Sequence, residues 1–196
     1  MEQQPLDWED APLMIETTRH RVERISAELL EMQTSDQRMR QAYVSKQADW
    51  DKSVDAGHLP RIKAIVEACG WPTISEFGAE AAHAAWLLVQ HAAEPVFMKH
   101  CLELMQQADE GEVSPLNMAF LEDRIHIMEH RPQRFGTQFY TVDDVTWPYP
   151  VDSIDTVNQR RAALGLNSFD ENLIEMQLRA TKRRATRRET PAPDQP

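Results

Sequence analysis

Residues 81–93, A-A-H-A-A-W-L-L-V-Q-H-A-A, are apolar enough to form the central helix of a folded domain. On a helical wheel, at about 100° per residue, the polar side chains gather within about a third of the circumference. These side chains are Glu80, His83, Gln90 and His91. The stretch therefore predicts a helix that is buried on most sides, with one polar stripe. The apolar segments on either side favour an internal pocket over water as the environment of this stripe.

The remaining sequence is also typical of a helical domain. The chain has 196 residues, enough for one core, only 6 glycines, and many residues that favour helix. Gly-Trp-Pro at 70–72 is a helix stop, and Ser114-Pro115 is a helix start. Apolar spacing and such signals predict seven helices, at about residues 12–47, 58–69, 79–93, 95–109, 115–129, 152–164 and 168–186.

One segment departs from this helical pattern. Residues 134–141, R-F-G-T-Q-F-Y-T, alternate and are rich in aromatic and β-branched residues, which indicates an extended segment. The prolines of W-P-Y-P at 147–150 cannot donate to a sheet, so this part is not a central strand. We predict a mainly α fold: a single helical domain with a small β-hairpin or extended insert near 134–150. The domain covers 11–178, after a flexible N-terminus at 1–10.

The first long helix carries an apolar stripe with steps of three, four and three residues, formed by Val22, Ile25, Leu29 and Met32. The stripe is expected to pack on the body of the domain. Because it also resembles a coiled-coil seam, a homodimer through this N-terminal helix is the alternative.

The charge and the cysteine content limit which partners and which cellular location are expected for this protein. The net charge of −11 repels nucleic acid and anionic membrane. No apolar run approaches the ~20 residues of a membrane span, and the acidic start lacks a signal-peptide pattern. Cys69 and Cys101 form no disulfide framework. We therefore expect a soluble cytoplasmic protein without a membrane partner.

The exception to the acidic charge is the C-terminal tail. Residues 179–196 are predicted to be a basic, disordered tail, whose six basic residues are Arg179, Lys182, Arg183, Arg184, Arg187 and Arg188. A solvated terminus is the simplest interpretation. Docking on the protein's own acidic domain or contact with RNA are the alternatives, so nucleic acid is an expected partner only through this tail.

Charged residues interrupt two apolar helix faces. Asp123 falls inside an apolar face of the 115–129 helix, and Arg124 falls between its two apolar faces. Arg161 lies on the apolar stripe of the 152–164 helix. Burying an aspartate without a partner costs roughly several kcal/mol in folding free energy. Arginine, too, is rarely buried unless it is paired. Asp123 and Arg161 are thus natural partners, as a structural ion pair or as part of a pocket.

These residues define a candidate site. His91 is the best general-base candidate, because imidazole titrates near neutral pH, and a satisfied histidine at a helix end is its structural alternative. Gln90, Thr137 and Gln138 offer neutral hydrogen-bonding groups, and Gly136 allows a close approach. The histidines match no standard metal-ligand spacing, and no phosphate loop or nucleophile elbow is present. We therefore predict neither a metal nor a cofactor.

Six short motifs follow one another in a characteristic order: G-W-P (70–72), W-L-L-V-Q-H (86–91), L-E-D-R-I (121–125), P-Q-R-F-G-T-Q (132–138), P-Y-P-V-D (148–152) and Q-R-R-A-A-L-G-L (159–166). In this combination the chain resembles an uncharacterised bacterial family, a domain of unknown function common in actinobacteria, over residues 40–166. The resemblance implies that residues 90–91, 123–124, 136–138 and 160–161 belong to the family pattern. It implies no activity. Where the family often has an acidic pair after Q-H, this chain has A-A-E.

Two functions agree with this sequence. The first is an enzyme, a hydrolase or transferase acting on a small polar or anionic substrate. His91 would act as acid and base, Asp123 would orient it or act as base, Arg124 and Arg161 would hold an anion, and Gln138 would donate a hydrogen bond. The second is a non-catalytic interaction protein, of the immunity or adaptor type, whose polar residues form a packing network. An open cleft favours the first function, and a closed, fully paired network favours the second.

Overall fold

The computed structural model describes residues 11–142 and 145–189, with side chains described from residue 18 to residue 182. These residues form eight helices and one antiparallel hairpin, in the order α1 (Ala11–Val44), α2 (Lys52–Cys69), α3 (Ile74–Phe77), α4 (Ala79–His91), α5 (Pro95–Gln107), α6 (Pro115–Met128), β1 (Phe139–Val142), β2 (Val145–Pro148), α7 (Ile154–Ala163) and α8 (Phe169–Glu189). The predicted fold class, mainly α with a small hairpin insert, is confirmed. None of the described helices combines the length and apolar character of a membrane span.

Helix α4 is the centre of the fold, as residues 81–93 predict. It packs against α1, α2, α3, α5 and α6. Ala84, Ala85 and Val89 are fully buried, and the two small alanines leave room for neighbouring backbones to approach. The polar residues of α4 differ in environment, since His83 is exposed, His91 is half-buried and Gln90 is buried.

The apolar stripe of α1 faces the protein's own core. Ile25, Leu29 and Met32 are buried, and α1 packs mainly against α4. The stripe therefore serves intramolecular packing, and a homodimer through this helix would have to use another of its faces.

The predicted helix ends are correct in part. Gly70 follows α2 with a φ of 72°, and the Ser114 hydroxyl accepts a hydrogen bond from Asn117 N at the start of α6. The predicted helix start at residue 152 is two residues early, because α7 begins at Ile154. The cap is Ser153, whose side chain accepts from Thr156 N, while Asp152 instead accepts a hydrogen bond from a basic side chain of α7.

The C-terminal segment agrees with one prediction, a helix to about residue 186, and departs from another, a disordered tail from residue 179. Helix α8 continues to Glu189, so the segment predicted to be a disordered tail begins as helix. Residues 1–10, predicted to be flexible, and residues 190–196 lie outside the described residues.

A buried glutamine joins the two ends of the hairpin segment. Gln133 accepts a hydrogen bond from Gln138 N (2.6 Å) and donates to the carbonyl oxygens of Gln138 (3.1 Å) and Tyr149 (2.9 Å). Its backbone also bonds to Pro150 and Asp152. The side chain thus satisfies backbone N–H and C=O groups at the base of the hairpin, as a neighbouring strand would. At this hairpin β2 packs on α8.

Gly136 occupies the tightest point of the connection between α6 and the hairpin. Its φ is +65°, a left-handed conformation that side chains disfavour. A Cβ at this position would lie 2.5 Å from two ring carbons of Phe169, the first residue of α8. Glycine is therefore required both by conformation and by the close approach of α8.

We expect Gly136→Ala to lower the free energy of unfolding by about 2–4 kcal/mol, because backbone strain and overpacking add. Gly165→Ala is the matched control, since Gly165 has a φ of +67° but open space around the position of a Cβ. That variant should lose only about 1 kcal/mol in urea denaturation. Equal losses in the two variants would show that the contact with Phe169 contributes nothing.

Candidate active site

His91, the last residue of α4, is paired with a buried aspartate of α1. Its Nδ1 lies 3.0 Å from Oδ2 and 3.2 Å from Oδ1 of Asp36. The Asp36 side chain is 1% exposed and the His91 side chain 17%. A carboxylate can only accept, so Nδ1 carries the proton and Nε2 of the neutral ring has the free lone pair. Nε2 has no hydrogen bond among the described contacts and is not a buried atom, so it reaches solvent.

Asp36 is held as a carboxylate by three side chains. Besides His91, Arg40 Nε donates to Oδ1 (2.9 Å) and Gln37 Nε2 donates to Oδ2 (2.8 Å). Burial alone would raise the pKa of Asp36, but the hydrogen bond and charge of His91, the charge of Arg40 and the Gln37 amide outweigh it, so the pKa lies below its ordinary value. An ionised aspartate behind an imidazole fixes the ring and stabilises its protonated form.

Arg40 is itself held in place from two further directions. Its Nη2 donates to Asp55 of α2 (2.9 Å), and its guanidinium carbon lies 4.8 Å from the ring centroid of Trp50, in the α1–α2 connection. Arg40 thereby links Asp36 to the second helix. The position of Asp36, and with it that of His91, is therefore fixed by Arg40.

Arg124 lies on α6, the helix that Gln90 contacts from the end of α4. Gln90 Nε2 donates to the carbonyl oxygen of Phe120 (3.3 Å), which lies one turn before Arg124 on α6. Burial lowers the pKa of the Arg124 guanidinium, the charge of Arg40 lowers it further, and Tyr149 acts in the opposite direction. Arg124 Nε and Gln90 Oε1 are both buried and unpaired.

Asp123, the residue before Arg124, has its carboxylate fully engaged. Oδ1 accepts from the backbone N–H groups of Arg134 (2.7 Å) and Phe135 (3.1 Å). Oδ2 accepts from the N–H and the hydroxyl of Thr137, each at 2.9 Å. Burial raises the pKa of Asp123 and these four hydrogen bonds oppose the rise. With every acceptor position of a 0% exposed residue occupied, Asp123 anchors the segment 134–137 to α6.

Arg161 binds the same segment from the other side. It donates from Nη1 to Phe135 O (2.8 Å) and Gly136 O (3.4 Å), and from Nε to Asn167 O (2.6 Å). Burial lowers the pKa of Arg161 and the charge of Asp123 raises it. No ion pair among the described residues joins Asp123 and Arg161 directly. Instead, both side chains bind the backbone of segment 134–137: Asp123 accepts from its N–H groups, and Arg161 donates to its carbonyl oxygens.

The residues singled out in the sequence thus surround α6 but form two clusters. One contains His91, Gln90 and Arg124, and the other contains Asp123, Thr137 and Arg161. Gln138 lies between them, with Nε2 donating to Phe120 O (3.4 Å) and to Thr137 Oγ1 (3.0 Å). The expectation that Asp123 orients His91 differs from the structure, in which Asp36 binds the imidazole.

Asp36 was missed in the sequence although its spacing marks it. The stripe of α1 continues from Met32 by four residues to Asp36 and by three to Met39. A carboxylate at the next position of an apolar stripe is the same signal that identified Asp123. Following the stripe for one more heptad would have added Asp36 to the site.

Three further histidines lie on the surface or make their contacts elsewhere. His83 is exposed and stacks on Trp86 with 5.0 Å between ring centroids, and His126 Nδ1 lies 2.7 Å from the carbonyl oxygen of Pro132. His100 is exposed on α5. In the part of the chain that the structure describes, no three His, Cys, Asp or Glu side chains are grouped so that they could hold a metal ion.

Fold and site together define a helical domain in which a buried carboxylate orients a half-buried imidazole on α4, while the neighbouring helix α6 carries an arginine without a hydrogen-bond partner among the described residues. The chain belongs to DUF6624, a family of unknown function, whose model matches residues 23–180. This range includes every residue of both clusters and is wider than the stretch over which the motifs resemble a family. The expected membership in a domain-of-unknown-function family is confirmed. No curated protein and no solved structure matches the chain.

Substitutions that remove hydrogen bonds from the two clusters should have unequal effects on the free energy of unfolding. We expect Asp123→Asn to lower the free energy of unfolding by about 2–5 kcal/mol, because an amide NH₂ would face backbone donors in a buried site. His91→Ala should cost only about 1 kcal/mol, since Arg40 and Gln37 still satisfy Asp36.

Thermal or urea denaturation measures both changes. Asp152→Asn is the control for removal of a carboxylate, because Asp152 is 37% exposed in its ion pair and should contribute less than about 1 kcal/mol. A loss for His91→Ala as large as that for Asp123→Asn would make the imidazole part of the scaffold.

Asp36 should make stability depend on pH in the acid range. Its pKa is lower in the folded protein than the ordinary value of 3.8, so the folded state binds fewer protons than the unfolded state as the pH falls. The stabilisation is therefore complete above that value and is lost below it. The stability difference between wild type and Asp36→Asn should shrink as the pH is lowered from 6 to about 3. A constant difference across this range would contradict the assignment.

Proposed function

We propose that the protein is an enzyme that uses His91 as general acid and base on a small polar substrate, in a hydrolysis or group-transfer reaction. The observation that carries this proposal is the pair of His91 and Asp36. The carboxylate is buried and binds Nδ1, while Nε2 reaches solvent. This is the arrangement that proton transfer at an imidazole needs.

The proposed chemistry follows from the two ring nitrogens. The Nε2 lone pair takes a proton from water or from a hydroxyl group, and the resulting oxygen nucleophile attacks the substrate. The positive charge that develops on the ring is stabilised by Asp36. The Nε2 proton is then given to the departing group, so the imidazole returns to its starting state.

The second cluster has a supporting part in this proposal. Asp123, Thr137 and Arg161 hold the segment 134–137 with their side-chain groups already paired inside the protein. We therefore assign them to positioning, in place of the base and anion-binding roles inferred from the sequence. Gln138 connects this segment to the α6 carbonyl that Gln90 also binds.

A non-catalytic interaction module is the second candidate. It is favoured by large apolar side chains exposed on the hairpin and α8, where Trp147 is 49% exposed and Ile174 and Leu178 are each 56% exposed. This interpretation gives no role to the accessible Nε2 of His91. For either function we propose a cytoplasmic location, which the free thiols of Cys69 and Cys101 support.

The test is a substrate panel of small esters, amides and phosphoesters, assayed with wild type and three variants. Against any substrate that wild type turns over, His91→Gln should lose about 100-fold or more in kcat. Asp36→Asn should also lose most of the activity, because the ring is no longer fixed in the right tautomer. His100→Gln, on the exposed face of α5, is the control and should be unchanged. Full activity in His91→Gln would refute the assignment.

A further inference from the structure

We propose that Arg124 anchors an oxyanion-binding subsite, and that the substrate carries a carboxylate or phosphate group that docks there next to His91. This inference rests on the proposed function, since it names the class of substrate on which His91 would act. It also identifies the one cation of the cluster that is available to a ligand.

Among the described residues, Arg124 differs from the other enclosed arginines in making no hydrogen bond or ion pair. The other half-buried or buried arginines of the described residues each donate to a carboxylate or to carbonyl oxygens: Arg40 to Asp36 and Asp55, Arg134 to Glu122, Arg160 to Asp152, and Arg161 to three carbonyls. Arg124 makes no hydrogen bond or ion pair among the described contacts, and its Nε is buried. A guanidinium Nε that is buried without an acceptor or counter-ion is costly, and an anion that bound there would remove this cost.

Charge compensation distinguishes Arg124 from Arg40. The charge of Arg40 is compensated by Asp36 and Asp55, and it acts on Arg124 as a like charge. The charge of Arg124 has no such compensation. A guanidinium matches the two oxygens of a carboxylate or phosphate, so the ligand class follows from the geometry of the donor.

Gln90 adds a second requirement for the ligand. Its side chain is 5% exposed and its Nε2 is bound to Phe120 O, which leaves Oε1 as a buried acceptor without a donor. Gln90 immediately precedes His91, so this acceptor belongs to the same end of α4. An oxyanion that carries or adjoins a hydroxyl or N–H group would satisfy Arg124 and Gln90 together.

The experiment is an NMR titration of the arginine Nε–Hε signals in the ¹⁵N-labelled full chain. Sodium phosphate and sodium acetate are added separately, with sodium chloride at matched ionic strength as the control. We expect phosphate or acetate to shift the Arg124 signal along a saturable curve, while the signal of the paired Arg160 stays in place. The anion that binds more tightly identifies the source of the oxyanion group. Equal shifts with chloride, or no shift in the Arg124 signal, would overturn the inference.

Two variants separate this inference from the proposed function. Arg124→Gln should weaken anion binding about ten-fold or more, and Arg160→Gln should leave it within about two-fold. If Arg124→Gln does not fold, Arg124→Lys keeps the charge but loses the two-pronged donor, and should bind less tightly than wild type. His91→Gln should retain anion binding. If His91→Gln keeps both anion binding and full turnover, the acid–base role is refuted and the anion subsite stands. If His91→Gln loses turnover but wild type binds no anion, the anion subsite is refuted and the acid–base role stands.

Discussion

Burial of carboxylates within a helical core is the constraint on which this structure depends. Asp36 and Asp123 are 1% and 0% exposed, at positions where the helix periodicity calls for apolar side chains. The backbone N–H groups inside surrounding helices are already used, so a buried carboxylate must find its donors elsewhere. For Asp123 the donors come from segment 134–137, which leaves regular secondary structure and wraps over α6. For Asp36 they come from side chains of α1 and α4.

The two solutions have different chemical consequences. Backbone amides neither titrate nor move independently, so the Asp123 cluster is closed and serves to hold the hairpin segment against α6 and α7. The donor that matters most to Asp36 is an imidazole, which has a second nitrogen directed away from the carboxylate and open to solvent. The same physical requirement thus produces a scaffold in one place and a group capable of proton transfer in the other. Arg124, adjacent to Asp123 in sequence, lies about 100° around the helix and belongs to the second setting.

What could be predicted from the sequence was local. The apolar run of α4, the serine and proline at the start of α6 and the alternation before the hairpin each depend on residues close together in the chain, and each was interpreted correctly. The predicted start of α2 is too late, because residues 52–57, K-S-V-D-A-G, carry no apolar stripe and Pro60 lies inside the helix. The helical wheel found His91, Asp123, Arg124 and Arg161, since each interrupts an apolar face. It could not assign their partners, because Asp36 and His91 are 55 residues apart and meet only when α1 packs on α4.

Asp36 holds His91 with Nδ1 protonated and leaves Nε2 free for chemistry. The most direct measurement is the two-bond ¹H–¹⁵N NMR correlation of the His91 imidazole, followed across pH. We expect the neutral ring to carry its proton on Nδ1, and we expect this preference to be lost in Asp36→Asn. A neutral ring protonated on Nε2 would contradict it, because Nδ1 would then present a lone pair to the carboxylate and His91 could not accept a proton at the accessible nitrogen.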